Sequence, residues 1–220
     1  MAPMQKLALK TNSLDIEKLK KRLQKELPGR NAQYKMLSRV KAMPDIIPEN
    51  AKPSAVLVLL FPKEEEWHIL YIQRAIDGHA HSGQIGFPGG RQEPDDANLS
   101  STALREACEE VGIKKDEVQI IGQLTSLYIP VSNFIVYPFI AVAEKQPDYL
   151  LQEAEVHRVL EIPVKELLNA EKKTVVEVTS PADKSFVRKV PAYKLEDDAI
   201  LWGATAMITA ELETILEEIF

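Results

Sequence analysis

The sequence is short of the features that mark a secreted, membrane-bound or nucleic-acid-coating protein. It holds one cysteine, Cys108, in 220 residues, so no intramolecular disulfide can form. Its longest apolar run, residues 55–61, is far shorter than the roughly 20 residues a membrane helix needs. The N-terminus lacks the pattern of a signal peptide. These absences point to a reducing cytoplasm and no membrane partner. There is no basic excess either. Lys and Arg number 27 against 33 Asp and Glu, giving a net charge of −6, which argues against nonspecific nucleic-acid binding. No internal repeat or low-complexity tract is present. What remains is 45% hydrophobic and 27% charged, ordinary for one soluble domain with a substantial core.

Residues 1–12 read as a loose terminus. From residue 13, Leu14, Ile16, Leu19, Leu23 and Leu27 recur near helical spacing until Pro28-Gly29 ends the pattern. The basic run Lys18, Lys20, Lys21, Arg22 and Lys25 reads as a solvated face, with phosphate contact as the alternative. Residues 28–53 carry four prolines and predict an extended connector. Strands follow at 54–61 and 67–73, the second alternating with period two. A loop over 74–98, rich in Gly, His and Asp, is long enough to suggest function. A helix over 100–111 comes next. Further strands are predicted at 118–127, 134–143 and 156–162, and a short helix at 164–170. A hairpin joins 175–179 to 186–193. A last helix spans 205–219, with Ile208, Leu212, Ile215 and Ile219 as its buried stripe. Mixed strands with helices packed on them give an α/β sandwich.

The helix at 100–111 carries the chemistry. Glu106, Glu109 and Glu110 stand at i, i+3 and i+4, so one face holds three carboxylates. Like charges at that spacing repel. A hard divalent cation turns the repulsion into coordination, because such ions take oxygen ligands. Leu104, Ala107, Cys108 and Val111 form an apolar stripe roughly opposite, which would dock on a sheet and leave the carboxylates facing a cleft. Cys108 then reads as core packing rather than a reactive thiol. Gly112 stands where a left-handed residue stops a helix. A merely solvated acidic face is the plain alternative, and so is an acidic scaffold protein, but neither explains the Gly89-Gly90 turn upstream. A zinc site from His68, His79, His81 and His157 fails because their spacing matches no common ligand set.

These residues resemble the Nudix box, in which Gly, five residues, Glu and seven residues precede Arg-Glu-apolar-x-Glu-Glu-x-Gly-apolar. Gly90 starts it, and Arg105, Glu106, Ala107, Cys108, Glu109, Glu110, Val111, Gly112 and Ile113 end it. The first half departs: Asp96 stands where the box has Glu, and one extra residue precedes Arg105. That departure is similar to the coenzyme A diphosphatase subgroup, whose Gly-Gly-x-x-acid-x-x-Asp variant matches Gly89, Gly90, Glu93 and Asp96. The subgroup's upstream motif is matched by Arg74, Ala75, Gly83, Phe87, Pro88, Gly89 and Gly90, with His79 in place of its second Arg. Downstream, residues 132–139, 155–163 and 202–206 are similar to its central strand, its Glu-Val-x-x-Val segment and the start of its last helix.

The resemblance implies a Nudix α/β/α sandwich with a mixed central sheet over residues 54–220. Residues 1–53 would form a helix and connector packed on it. It implies hydrolysis of the diphosphate in coenzyme A or its acyl derivatives, giving adenosine 3′,5′-bisphosphate and 4′-phosphopantetheine. ADP-ribose or another nucleoside diphosphate derivative is the alternative substrate. Some relatives keep the fold as binding modules and lose the box acids; here all three helix glutamates remain. The substrate would be a small-molecule nucleotide, and the oligomeric state stays open, a homodimer among the options. Magnesium or manganese (Mg2+ or Mn2+) would be held by Glu106 and Glu110, with Glu109 sharing that work and the Gly90 carbonyl joining. Arg105 would hold a glutamate in place. The general base is Glu109 or Glu155, with Glu153 a weaker third. Arg74, Gln84, His79 and Gly89 are the candidate substrate contacts.

Overall fold

The computed structural model describes residues 14–38, 44, 46–76, 82–179, 187–196 and 198–220. His79 and His81 lie outside the described residues, as do 181–184 of the expected hairpin turn.

Helix α1 (Ile16–Leu23) opens on Asp15, whose side chain accepts from the Lys18 amide at 3.0 Å. It stops at Gln24 instead of running on to Leu27. Beyond that point the Arg22 guanidinium, paired with Glu218, takes the Glu26 carbonyl at 3.0 Å. The expected extended connector is also corrected. Gly29–Gln33 forms a short helix, α2, followed by a 3-10 turn over Tyr34–Met36. Tertiary contact produces it: Glu211 takes the Gly29 amide at 3.0 Å and the Gln33 side chain at 2.9 Å.

Strand β1 (Lys52–Lys63) is the spine of the molecule, with β2 (Glu66–Arg74) returning beside it. The loop expected over 74–98 contains two short strands, β3 (Ile85–Gly86) and β4 (Gly89–Arg91). Then come α3 (Leu99–Val111), β5 (Val118–Gln123), β6 (Leu127–Ile129) and β7 (Phe134–Ala143). One continuous strand was expected over 118–127. Instead the chain breaks at 124–126, where the Thr125 amide and hydroxyl turn to the Glu211 carboxylate. The chain ends with β8 (Val156–Pro163), α4 (Val164–Leu167), β9 (Lys173–Thr179), β10 (Val187–Lys194), β11 (Ile200–Trp202) and α5 (Gly203–Glu217).

The main sheet is mixed. β1 runs parallel to β7, from Lys52 opposite Phe134 to Leu60 opposite Val142. On its other edge β1 meets two partners. Its C-terminal half pairs with β2 (Leu60 opposite Ile69), and its N-terminal half pairs with β4 (Ala55 opposite Gly90). The far end of β2 pairs with β3 (Ile72 opposite Gly86). β1 and β2 therefore splay apart, and the glycine-rich segment 85–91 fills the split. β9, β10 and β11 form a second, antiparallel sheet.

Alternation along β1 builds the three layers. Ala55, Leu57, Leu59 and Phe61 join one buried cluster with Ala103, Ala107 and Val111 of α3. Val58 and Leu60 face the other cluster, with Leu19 and Leu23 of α1 and Ile208, Leu212 and Ile215 of α5. α5 is buried nearly all round, not along one stripe, and Ile219 falls beyond its end and only partly buried. Its two hidden carboxylates are both satisfied: Glu211 as described, and Glu213 by the Tyr193 hydroxyl and the Lys173 ammonium, each at 2.7 Å. No helix among the described residues is long and apolar enough to cross a membrane.

Candidate active site

α3 is fixed at both ends by backbone chemistry. Asn98 caps its start, its Oδ1 accepting from the Ser101 amide at 2.9 Å and the Ser100 hydroxyl at 2.6 Å. Gly112 ends it in the left-handed region, at φ 72°. The last carbonyls of the helix do not go to solvent. The Leu150 amide donates to the Val111 carbonyl and the Gln152 amide to the Glu110 carbonyl, both at 3.0 Å. The strap that carries Glu155 is thereby sewn to the helix that carries Glu106 and Glu110.

The buried face of α3 differs from the expected one. Ala103, Ala107 and Val111 are fully buried, while Leu104 and Cys108 are only half-buried. Two alanines let the helix sit close to the sheet, and the face turns toward Glu110. That carboxylate is therefore buried, with its side chain 2% exposed, whereas Glu106 is 15% and Glu109 58% exposed.

Each carboxylate has a distinct neighbour. Glu110 Oε2 accepts from the Gly89 amide at 2.8 Å, and Oε1 faces Arg74 Nη1 at 3.7 Å. Burial pushes the Glu110 carboxyl up to about 7; the Gly89 N–H and Arg74 oppose this, and Glu106 and Glu155 add to it. Glu106 is also raised, again chiefly by burial, with Arg105 opposing and Glu109 and Glu155 contributing. Its carboxylate lies against Gly90 so closely that a Cβ there would overlap it. Gly89, at φ 152°, has no room for a side chain either, since Val56 Cα would lie 2.6 Å from one.

Arg105 does not serve a glutamate alone. Its guanidinium grips Asp96 in bidentate fashion, Nε to Oδ1 at 2.9 Å and Nη2 to Oδ2 at 3.0 Å. It also reaches Glu109 at 2.9 Å, Glu106 at 3.0 Å and the Arg91 carbonyl at 3.1 Å. Asp96 further accepts from the Thr102 hydroxyl and the Glu93 amide, each at 2.9 Å. Arg105, with its hydrogen bond first among the causes, holds the Asp96 carboxyl well below the usual carboxylate range. In the sequence Asp96 departs from the box and matches the subgroup's variant; here it anchors Arg105.

The end of β2 that carries Arg74 is tied through its backbone to the strap that carries Glu155. The Ala75 amide donates to the Glu155 carbonyl at 2.8 Å, and the Arg74 amide to the Gln84 carbonyl at 3.0 Å. Arg74 follows a register shift where β2 pairs with β8. Glu155 is exposed and acts electrostatically on both Glu106 and Glu110. Glu153 is exposed and lines a separate cavity of about 510 Å³ with Tyr149, Leu150, Leu151, Val156 and His157. His68 is buried, its Nδ1 beside the Glu66 carbonyl at 3.2 Å.

Among the described residues, no three acidic, His or Cys side chains are gathered around one point, because Glu106 and Glu110 are turned to arginines and the Gly89 amide. The donor set still fits a hard divalent cation. Its donors are carboxylate oxygens, Glu106, Glu110 and Glu155 crowd one another electrostatically, and a side-chain-free Gly90 lets Glu106 approach the backbone.

Comparison with known proteins agrees with this architecture. Residues 51–181 match the family model described as NUDIX domain. The uncharacterized Nudix hydrolase NudL of Enterobacter sp. (strain 638) is 33% identical over 176 residues, covering 80% of this chain and 88% of the relative. The NudL of Photorhabdus laumondii is 30% identical, covering 77% of this chain and 87% of the relative. Among solved structures, the Nudix hydrolase RenU of M. smegmatis aligns with a TM-score of 0.49 at 14% identity, covering 77% of this chain and 88% of that one. Members of this family generally use divalent metal ions. The chain belongs to the Nudix family, with its α/β fold and mixed sheet, and is a hydrolase of phosphoanhydride bonds.

Proposed function

We propose that this protein hydrolyses the diphosphate of coenzyme A or its acyl derivatives, releasing adenosine 3′,5′-bisphosphate and (acyl-)4′-phosphopantetheine in the cytoplasm. The substrate is supported by the resemblance of residues 74–90 to the coenzyme A subgroup. The reaction class is supported best by one observation: a buried Glu110 held between the Gly89 amide and Arg74, beside Glu106. Glu106 and Glu110 would hold Mg2+ or Mn2+, with the Gly90 carbonyl near them. When bound, the ion supplies charge neutralisation on the diphosphate and acidifies the attacking water.

The chain's own groups do the rest. Arg105, fixed by Asp96, positions Glu106 and Glu109. Arg74, which faces Glu110, and Gln84, whose carbonyl holds the Arg74 amide, would offer contacts to phosphate oxygens. Glu155 takes the proton of the attacking water. It is favoured over Glu109 because Glu109 is tied to Arg105 at 2.9 Å, whereas Glu155 acts on both metal-binding carboxylates.

The test is a panel of coenzyme A, acetyl-coenzyme A, ADP-ribose and nucleoside triphosphates with Mg2+ or Mn2+, products being identified by mass. Turnover of ADP-ribose with none of coenzyme A would overturn the substrate. Glu155→Gln should lower kcat about 10²- to 10⁴-fold, the span of general-base catalysis, and Glu109→Gln much less. The reverse order would move the base to Glu109.

A further inference from the structure

Arg74 and Glu110 stand in a relation that metal binding must change. Glu110 is the most buried carboxylate of the site, and one of its oxygens is already taken by the Gly89 amide. The other, Oε1, is the more open oxygen for a hard cation, and Arg74 faces it. At 3.7 Å this contact is an ion pair without a hydrogen bond, held by charge alone. The site's other arginine is committed elsewhere: Arg105 spends its donors on Asp96, Glu106, Glu109 and the Arg91 carbonyl. The Arg74 backbone is pinned by the Gln84 carbonyl, and the next amide by Glu155. Its side chain is 40% exposed, so it is the part of the residue with room to move.

We propose that Arg74 is the exchangeable counter-ion of Glu110: a divalent cation arriving at Oε1 displaces the guanidinium, which then turns to the substrate diphosphate. This rests on the reading of Glu110 as a metal ligand and adds an order to it. Metal and diphosphate binding become coupled through one side chain. Before substrate arrives, Arg74 competes with the metal; afterwards, it helps to hold what the metal has neutralised. A mere phosphate contact would have only the second effect.

The two effects separate in a Mn2+ titration, following the free ion by electron paramagnetic resonance. The full chain is used as wild type, Arg74→Ala, Glu110→Gln and the double variant, with and without imidodiphosphate as a non-hydrolysable diphosphate. Without imidodiphosphate, Arg74→Ala should bind Mn2+ about two- to fivefold more tightly than wild type, the range expected on losing a partly exposed ion pair. That gain should vanish in the Glu110→Gln background, since it acts through Glu110. Imidodiphosphate should tighten Mn2+ binding in wild type and do so less in Arg74→Ala. An unchanged or weaker Mn2+ affinity in Arg74→Ala, or a gain that persists in the double variant, overturns the proposal. If Glu110→Gln alone binds Mn2+ like wild type, the metal-ligand reading itself fails, which is a separate and recognisable result. Arg74→Gln, with a long polar side chain, serves as the second variant if alanine at this position prevents folding.

Discussion

Glu110→Gln should make the fold more stable in chelator at pH 8 and leave it unchanged near pH 4. The reason lies in where the carboxylate sits. Burial raises its folded-state pKa from the ordinary 4.5 to about 7. Between those values the folded protein holds a proton that the unfolded chain has lost, so stability falls as pH rises through this window. Above it the full cost of a buried charge remains. The shift of about 2.5 pH units corresponds to roughly 3 kcal/mol, with the Gly89 amide and Arg74 already included as opposing effects. Glutamine keeps the shape and an acceptor for the Gly89 amide but carries no charge. In EDTA the urea midpoints of the two proteins should therefore coincide at low pH and diverge toward pH 8, with glutamine the more stable. Mn2+ at 100 times its dissociation constant should stabilise wild type by about 2.7 kcal/mol and close that gap, while doing little for the variant. Parallel pH profiles in EDTA would refute the argument, because they would mean that Glu110 pays no desolvation cost.

Gly90→Ala places a Cβ where the Glu106 carboxylate lies. It should weaken Mn2+ binding by about tenfold or more, on the order of one lost charge-assisted contact, with little change in urea midpoint; unchanged affinity would mean that Glu106 has another position open to it. Glu211→Ala removes the acceptor of the Gly29 amide and of the Thr125 amide and hydroxyl, and leaves the Gln33 side chain only the Thr125 carbonyl. Unfolding experiments should show a loss of about 2–4 kcal/mol, with residues 14–38 cleaved earlier in limited proteolysis. A loss under about 0.5 kcal/mol would show that water replaces these bonds freely.

The sequence disclosed those elements whose residues announce their own surroundings. Residues 67–73 alternate, and β2 follows. Residues 55–61 are apolar throughout because β1 is covered on both faces, so the strand was legible though its two faces were not. The period of 3.6 in α3 and the glycine at 112 gave that helix nearly to the residue. Elements created by distant partners left no such trace. β3 and β4 hold five residues between them and have no period to read; they exist because β1 and β2 part and leave unpaired edges. α2 has no apolar stripe, and its first amide is capped from α5, 182 residues away.

The site divides along the same line. Three glutamates on one helical face were visible from spacing, yet spacing makes them equivalent, and the fold does not. Which of them is buried depends on the small side chains at 103 and 107, which set how closely α3 lies on β1. Alanines on a helix flank are too common to carry that message alone. Once the helix sits that close, Glu110 turns inward to the Gly89 amide and Glu109 stays outside with Arg105. Asp96 shows the converse case. One residue of insertion and an acid one methylene shorter than Glu depart from the box, and only the resemblance to the subgroup's variant gives them a meaning in the sequence. In three dimensions the shorter carboxylate reaches Nε and Nη2 of Arg105 while accepting from the Glu93 amide and the Thr102 hydroxyl. A change that breaks the written pattern thus leaves a carboxylate paired with Arg105, where the helix carries its glutamates.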